Sequence, residues 1–288
     1  MTTIALKDGR KLEIETAGNN QGRAIIFHHG TPGASSTWKS WLTEVANQGG
    51  FAISYSRPGY GDSSRNAGRS VISNTENILA IIEHFNLEEI VSIGWSGGGP
   101  HALADATLIQ SRGAISIAGV GPYGAASLNF LEGMGEENHV EFGAAVQGEA
   151  AINTWMLENA PGLTNVTGPD LIEAFGGLIG DADKAALVGG VADEMAASFR
   201  QSQANGHFGW MDDDLAFVKP WGFDISEINK PVQLWQGNDD LMVPHAHGIW
   251  LANHIPVAEL IMIDGEGHIS LGENRRGHIV KNALELFD

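Results

Sequence analysis

This 288-residue chain predicts an α/β fold: a mostly parallel sheet with helices on both faces, interrupted once by a helical insertion. Three observations carry that expectation. From residue 24 to residue 121, short apolar runs alternate with stretches of helical apolar spacing, the rhythm of strands joined by helical crossovers. The rhythm lapses between about Tyr123 and Val218 and resumes at Pro231. Gly94-Trp95-Ser96-Gly97-Gly98 lies between an apolar run and a helical pattern, the strand–turn–helix setting of a G-x-S-x-G motif.

The elements follow in order. TIALKDGRKLEIETAG reads as a β-hairpin turning at Asp8-Gly9. AIIFHHG, residues 24–30, is a short apolar run ending at glycine, hence a buried strand. Residues 36–49 pair a candidate serine cap with helical spacing of Trp38, Trp41, Leu42 and Val45. FAISYS is a strand. Residues 73–87 form a helix with Ile78, Ile81, Ile82 and Phe85 on its apolar face. IVSI is a strand, residues 97–109 a helix and residues 114–121 a strand. The next stretch is rich in alanine, glycine and acid, with helical pieces AAVQGEAAINTWMLENA and KAALVGGVADEMAASFRQSQ. PVQLWQG is a buried strand, VPHAHGIWLANHI a helix, AELIMID a strand, and residues from about 270 to 287 the last helix. The expected organisation is a core in two parts, 1–122 and 219–288, around a helical cap, 123–218.

Composition narrows the function classes. A hydrophobic content of 43% fits a globular protein with a sizeable core, as one large α/β domain or a core plus a lid. The chain has no cysteine, which excludes disulfides, thiolate metal sites and a cysteine nucleophile, and fits a reducing compartment. A formal charge of −19 argues against nucleic acid or an anionic membrane as partner. MTTIALKDGR lacks the basic start and apolar stretch of a signal peptide, and no apolar run approaches the ~18 residues of a membrane span. The expectation is a cytoplasmic protein with a small-molecule substrate and no cofactor; a homodimer stays open.

Serine is a poor nucleophile at neutral pH and needs a base, usually histidine, oriented by a buried carboxylate. In open α/β sheets, reactive groups collect at the carboxyl ends of strands. PVQLWQG is followed at once by Asn238-Asp239-Asp240, and AELIMID by Gly265-Glu266-Gly267-His268. The chain order is then Ser96, one of two aspartates, His268. Thirty-eight glycines make a bare G-x-S-x-G match weak, so this ordering, and not the motif, carries the argument. His28-His29 and His245-x-His247 lack a carboxylate at ligand spacing and there is no H-E-x-x-H, so no metal site is expected. His101 reads as structural, the tryptophans, Trp155 included, mostly as core, and Asp212–Asp214 as a solvated run or helix cap.

HHGTPG, YSRPGYGDSS, GWSGGGPHAL, QGNDDLMVP and GEGH together resemble the α/β-hydrolase superfamily over nearly the full chain. The resemblance is to its serine-nucleophile branch, with an H-G-x-P-G oxyanion loop and a helical cap. It implies a nucleophile at Ser96 and a base at His268. In the G-x-x-D-x-x-V-P pattern the acid falls on Asp240, with Asp239 the fallback. It implies oxyanion donors at the backbone N–H groups of Thr31 and Gly97, with Trp95 and Met242 lining the pocket. The activity implied is hydrolysis of a small neutral ester, amide or lactone. A prolyl-aminopeptidase-like peptidase is the alternative: such enzymes hold a free amine with cap carboxylates, and Glu149, Glu158, Asp193 and Glu194 are candidates. The elbow, however, departs from the G-x-S-W-G form of that group. Carbon–carbon bond hydrolysis is a further enzymatic option, and a slow-turnover small-molecule sensor is the alternative outside enzymology.

Overall fold

The computed structural model describes residues 2–288. Strands β1 (Thr2–Ala5) and β2 (Lys11–Gly18) form the opening hairpin, with Gly9 at φ +90° in its turn. There follow β3 (Ala24–His28), α1 (Lys39–Asn47), β4 (Phe51–Tyr55), α2 (Thr75–Phe85), β5 (Ile90–Trp95), α3 (Gly99–Asp105) and β6 (Ser111–Ile117). The described chain then runs without a strand through α4 (Glu136–Gln147), α5 (Glu149–Asn159), α6 (Leu171–Phe175), α7 (Asp181–Ala186), α8 (Gly189–Ser202) and α9 (Phe208–Phe217). It closes with β7 (Val232–Gly237), α10 (Ala246–His254), β8 (Ala258–Ile263) and α11 (Ser270–Glu285).

The eight strands form one sheet in the order β1-β2-β4-β3-β5-β6-β7-β8. β2 is antiparallel to β1 and β4, and β3 through β8 are parallel. β3 lies between β4 and β5, so the crossover from β3 to β4 and the next, from β4 to β5, run in opposite directions across the sheet. Such a reversal opens a crevice beyond the carboxyl ends of the strands. The loops carrying Thr31 and Ser96 follow the two strands that meet there.

Side-chain alternation explains why the sheet is covered on both faces. In β3, Ile25 and Phe27 pack with Trp38, Trp41 and Val45 of the α1 region and Ile279 and Val280 of α11. Their neighbours Ala24 and Ile26 face the other way, onto Ile78, Ile81 and Ile82 of α2. All five residues of β3 are buried. Among the described residues, no helix is long and apolar enough to cross a membrane.

Several boundaries differ from the sequence pattern. Ser36 caps nothing: a 3-10 turn over Ser35–Trp38 precedes α1, and the Ser36 amide is held by Gln201 Oε1 at 3.3 Å. The helix expected over 97–109 begins with a 3-10 turn and ends at Asp105. β6 starts earlier, because Ser111 pairs with Ile90, and stops at Ile117, where Ala118 turns to φ +48°. The helix expected from 243 starts at Ala246, because the Val243 amide is turned back to Asp240 Oδ1 at 2.8 Å. The first helical piece of the insertion breaks at Gly148, φ +104°, and the second at Leu187 and Val188.

Candidate active site

Ser96 ends the run of β5 at φ +56°, a left-handed conformation that costs a non-glycine residue about 1–3 kcal/mol. The turn is tight enough to demand glycine on both sides. A Cβ at Gly94 would lie 2.1 Å from the Gly98 carbonyl oxygen, and one at Gly98 would lie 2.1 Å from the His28 carbonyl oxygen. Backbone approach this close is possible only without side chains.

His268 follows β8, and its Nδ1 is 2.8 Å from Asp240 Oδ2, with both side chains at most 1% exposed. The other oxygen of Asp240 accepts the Met242 and Val243 amides at 2.9 and 2.8 Å, which orients the carboxylate toward the ring. Asp239 is exposed and its side chain has no part in this contact. Between the two aspartates left open by chain order, the geometry therefore pairs Asp240 with the histidine. With Nδ1 engaged, Nε2 is the ring nitrogen left for chemistry. The His268 loop is held from the helical insertion: Asp183 of α7, fully buried, accepts the amides of His268, Ile269 and Ser270 at 3.0, 2.8 and 2.9 Å. These amides open α11, where a carboxylate is favoured by the helix dipole.

Thr31 and Gly97 come together: a Cβ at Gly97 would lie 2.5 Å from Thr31 Oγ1 and 3.0 Å from the ring of Phe217. Beneath them lies a buried ionic cluster. The reading of Asp212–Asp214 as a solvated run is wrong: all three lie on α9 and are at most 2% exposed. Asp213 Oδ2 accepts Arg57 Nε and Nη2 at 3.0 and 2.6 Å, Tyr60 Oη at 2.9 Å and Thr31 Oγ1 at 2.9 Å. Its Oδ1 accepts Arg69 at 2.7 Å. Burial pushes the Asp213 carboxyl up, but Arg57 and Arg69 outweigh it and hold the group well below the carboxylate range. Asp212 takes Arg65 at 2.8 and 2.9 Å. His29 and His101 belong to the same cluster; burial and the Arg57 charge drive both well below the usual histidine range, so they are neutral. The signal was available: three aspartates flanked by Trp210-Met211 and Leu215-Ala216-Phe217 sit in an apolar helix, with Arg57, Arg65 and Arg69 upstream to pair them.

Ser96, His268, Thr31, Gly97, Trp95 and Met242 all line one cavity of about 260 Å³. Trp95 Nε1 donates to the His268 carbonyl oxygen at 3.0 Å, and the two rings lie 5.1 Å apart. The remaining walls come mostly from the insertion, among them Phe142, Trp155, Leu171, Phe199 and Trp210. Trp155, expected in the core, is thus a wall residue, packed edge-on against Trp210. Of the carboxylates expected at an amine site, Glu149, Glu158 and Asp193 are exposed and outside the cavity, and Glu194 is bonded to Ser40. The carboxyl groups that do line it are Glu137, Glu141 and Asp214, none of which sequence reasoning singled out as site residues. His28 is held by Asp105 and Tyr55, and His247 by the Gly121 amide and the Phe130 carbonyl, so these rings are occupied structurally.

Comparison with known proteins agrees with this architecture. The model of the alpha/beta hydrolase family matches residues 25–277. A non-heme chloroperoxidase of Streptomyces lividans is 26% identical over 252 residues, 85% of this chain and 84% of that protein. An esterase from Exiguobacterium antarcticum superposes with a TM-score of 0.71 at 16% identity, covering 99% of this chain and 98% of the other. A bromoperoxidase from Bacillus anthracis superposes with a TM-score of 0.69 at 23% identity, covering 99% of each chain.

Proposed function

The chain belongs to the alpha/beta hydrolase family, and on that premise we propose that it is a serine hydrolase acting on a small neutral ester, amide or lactone through an acyl-enzyme. The observation that carries this reading is a shared cavity: Ser96, on its strained turn, and His268, hydrogen-bonded to Asp240, line the same 260 Å³ space. Ser96 Oγ attacks the substrate carbonyl while its proton passes to His268 Nε2. Asp240 holds the Nδ1 proton and stabilises the imidazolium. The negative charge on the carbonyl oxygen is taken by the backbone N–H groups of Thr31 and Gly97. The imidazolium then gives its proton to the leaving oxygen or nitrogen, and the acyl group stays on Ser96. Water, deprotonated by His268, attacks the acyl carbon; Ser96 leaves with that proton and the acid is released. The helices between β6 and β7 act as a cap that encloses the acyl chain and limits water access.

Three of the four cap carboxylates named for an amine stand in solvent, but Glu137, Glu141 and Asp214 of the same segment line the cavity, so the peptidase reading stays the alternative. The test is labelling with a fluorophosphonate probe, which should modify Ser96 and no other serine. Ser96→Ala should lower kcat on p-nitrophenyl esters by about 10³ or more. Retention of most activity by that variant would overturn the reading, and a ligand-induced conformational change without burst or turnover would favour a sensor.

A further inference from the structure

His268 stands on a loop, residues 264–269, between the end of β8 and the start of α11. A base on a loop needs its backbone fixed, because its ring must meet Asp240 through Nδ1 and Ser96 through Nε2 at once. The four consecutive amides of Gly267–Ser270 are all bound by side chains. Gly267 donates to Ser270 Oγ at 2.8 Å, and the other three donate to Asp183. These amides lie where α11 has no carbonyl of its own to offer them.

Asp183 is fully buried, and among the described residues no lysine, arginine or histidine side chain is bonded to it. Its two oxygens are committed to the backbone on either side of the histidine: Oδ2 to the His268 amide, Oδ1 to those of Ile269 and Ser270. The neighbouring residue makes room for it. A Cβ at Gly267 would lie 2.5 Å from both carboxylate oxygens, and the φ of Gly267 is not left-handed, so this glycine serves the close approach and not a turn. Residue 268 is thus held at both its peptide groups. Its carbonyl is tied by Trp95 to the turn that carries Ser96, and its amide is tied by Asp183 to α7 of the insertion.

We propose that Asp183 is a positioning residue for the base: by holding the amides of His268, Ile269 and Ser270 it sets the imidazole between Asp240 and Ser96, so that the rate of acyl transfer, and not only the choice of substrate, depends on the insertion. This rests on the serine-hydrolase reading and adds a residue that acts through His268 without touching substrate. A displacement of a reacting group by about 1 Å costs about 10²-fold in rate, which sets the size of the effect.

The experiment measures kcat and KM for p-nitrophenyl butanoate on the purified protein, with circular dichroism to establish that each variant is folded at the assay temperature. Asp183→Ala should lower kcat about 10²-fold and leave KM within about threefold, the split expected when alignment for the chemical step is lost. Asp183→Asn, which keeps one acceptor oxygen, should fall between the two. The low-field proton resonance of the His268 Nδ1–H bonded to Asp240 should shift or broaden in Asp183→Ala. Gly267→Ala, which pushes the carboxylate away, should lower kcat in the parent and change it little on the Asp183→Ala background. If Asp183→Ala does not fold, Asp183→Asn and Gly267→Ala carry the kinetic and spectroscopic test. Folded variants with kcat within about threefold of the parent, a loss carried by KM alone, or an unchanged low-field resonance would overturn the positioning role. Fluorophosphonate labelling separates the two readings: a labelled, active parent whose Asp183 variants keep its kcat removes the positioning role alone, while no labelling and no turnover in the parent removes both.

Discussion

Replacing Asp213 with asparagine should cost the fold about 3–5 kcal/mol, the usual penalty for removing one partner of a buried ion pair. The structure sets the size. Arg57 is fully buried and Asp213 is its only carboxylate partner; its other bonds go to the His29 and Gly30 carbonyl oxygens and Thr31 Oγ1. Asparagine keeps the shape but removes the charge, leaving that guanidinium uncompensated, whereas Arg69 retains Asp212. For a chain of this length about 2–4 °C of melting temperature goes with each kcal/mol, so thermal unfolding followed by circular dichroism should show a loss of about 6–20 °C. Ester turnover should fall as well, because asparagine offers one acceptor oxygen where Thr31, Tyr60, Arg57 and Arg69 now share two. The double variant Arg57→Met with Asp213→Leu should recover much of the stability, since an apolar pair leaves no charge unpaired. A melting temperature within about 2 °C of the parent for Asp213→Asn would refute the reasoning, because it would mean the Arg57 charge is compensated without this carboxylate.

Other outcomes follow from the same geometry. Asp240→Asn should lower kcat about 10³–10⁴-fold, because the imidazole loses its tautomer, while exposed Asp239→Asn should leave steady-state rates close to the parent's. Gly98→Ala should destabilise by about 3 kcal/mol or prevent folding, measured by urea unfolding, since its Cβ would collide with a backbone carbonyl that has no room to move. Glu141 gives a pH signature: its carboxyl is raised from its usual 4.5 to about 7 in the fold, so the folded state holds a proton the unfolded chain releases. That contribution is complete below about pH 4.5 and is lost as pH rises through 7; melting temperature should therefore fall between pH 5 and 8 more steeply for the parent than for Glu141→Gln.

The sheet and the Ser96, Asp240 and His268 positions were legible because each depends on local pattern. β3, β4 and β5 are continuous apolar runs, and the residues that follow β5, β7 and β8 lie next in sequence to the strands that place them. Chain order alone left Asp239 and Asp240 open; the G-x-x-D-x-x-V-P pattern of the resemblance put the acid on Asp240, the carboxylate that the Met242 and Val243 amides fold back to meet. The cavity carboxyls were invisible for a different reason. Glu141 and Asp214 are 73 positions apart on helices whose packing is set by tertiary contact; the apolar flanks of Asp214 point to its burial, but nothing in sequence points to its meeting Glu141. Asp183 is the same case: nothing around it in KAALVGG or its neighbours indicates that it meets the first amides of α11.

On the proposed role of His268 as base, the Asp183 clamp ties the position of α7 to the competence of that base. A motion that swung α7 outward would take the acceptor away from the amides of His268, Ile269 and Ser270 together, and the imidazole would lose its footing at the moment the molecule opened. Two residues of the cavity wall, Glu137 of α4 and Ala174 of α6, are exposed. If His268 is the base, as proposed, the insertion is latched to the loop that carries it through a single side chain, Asp183.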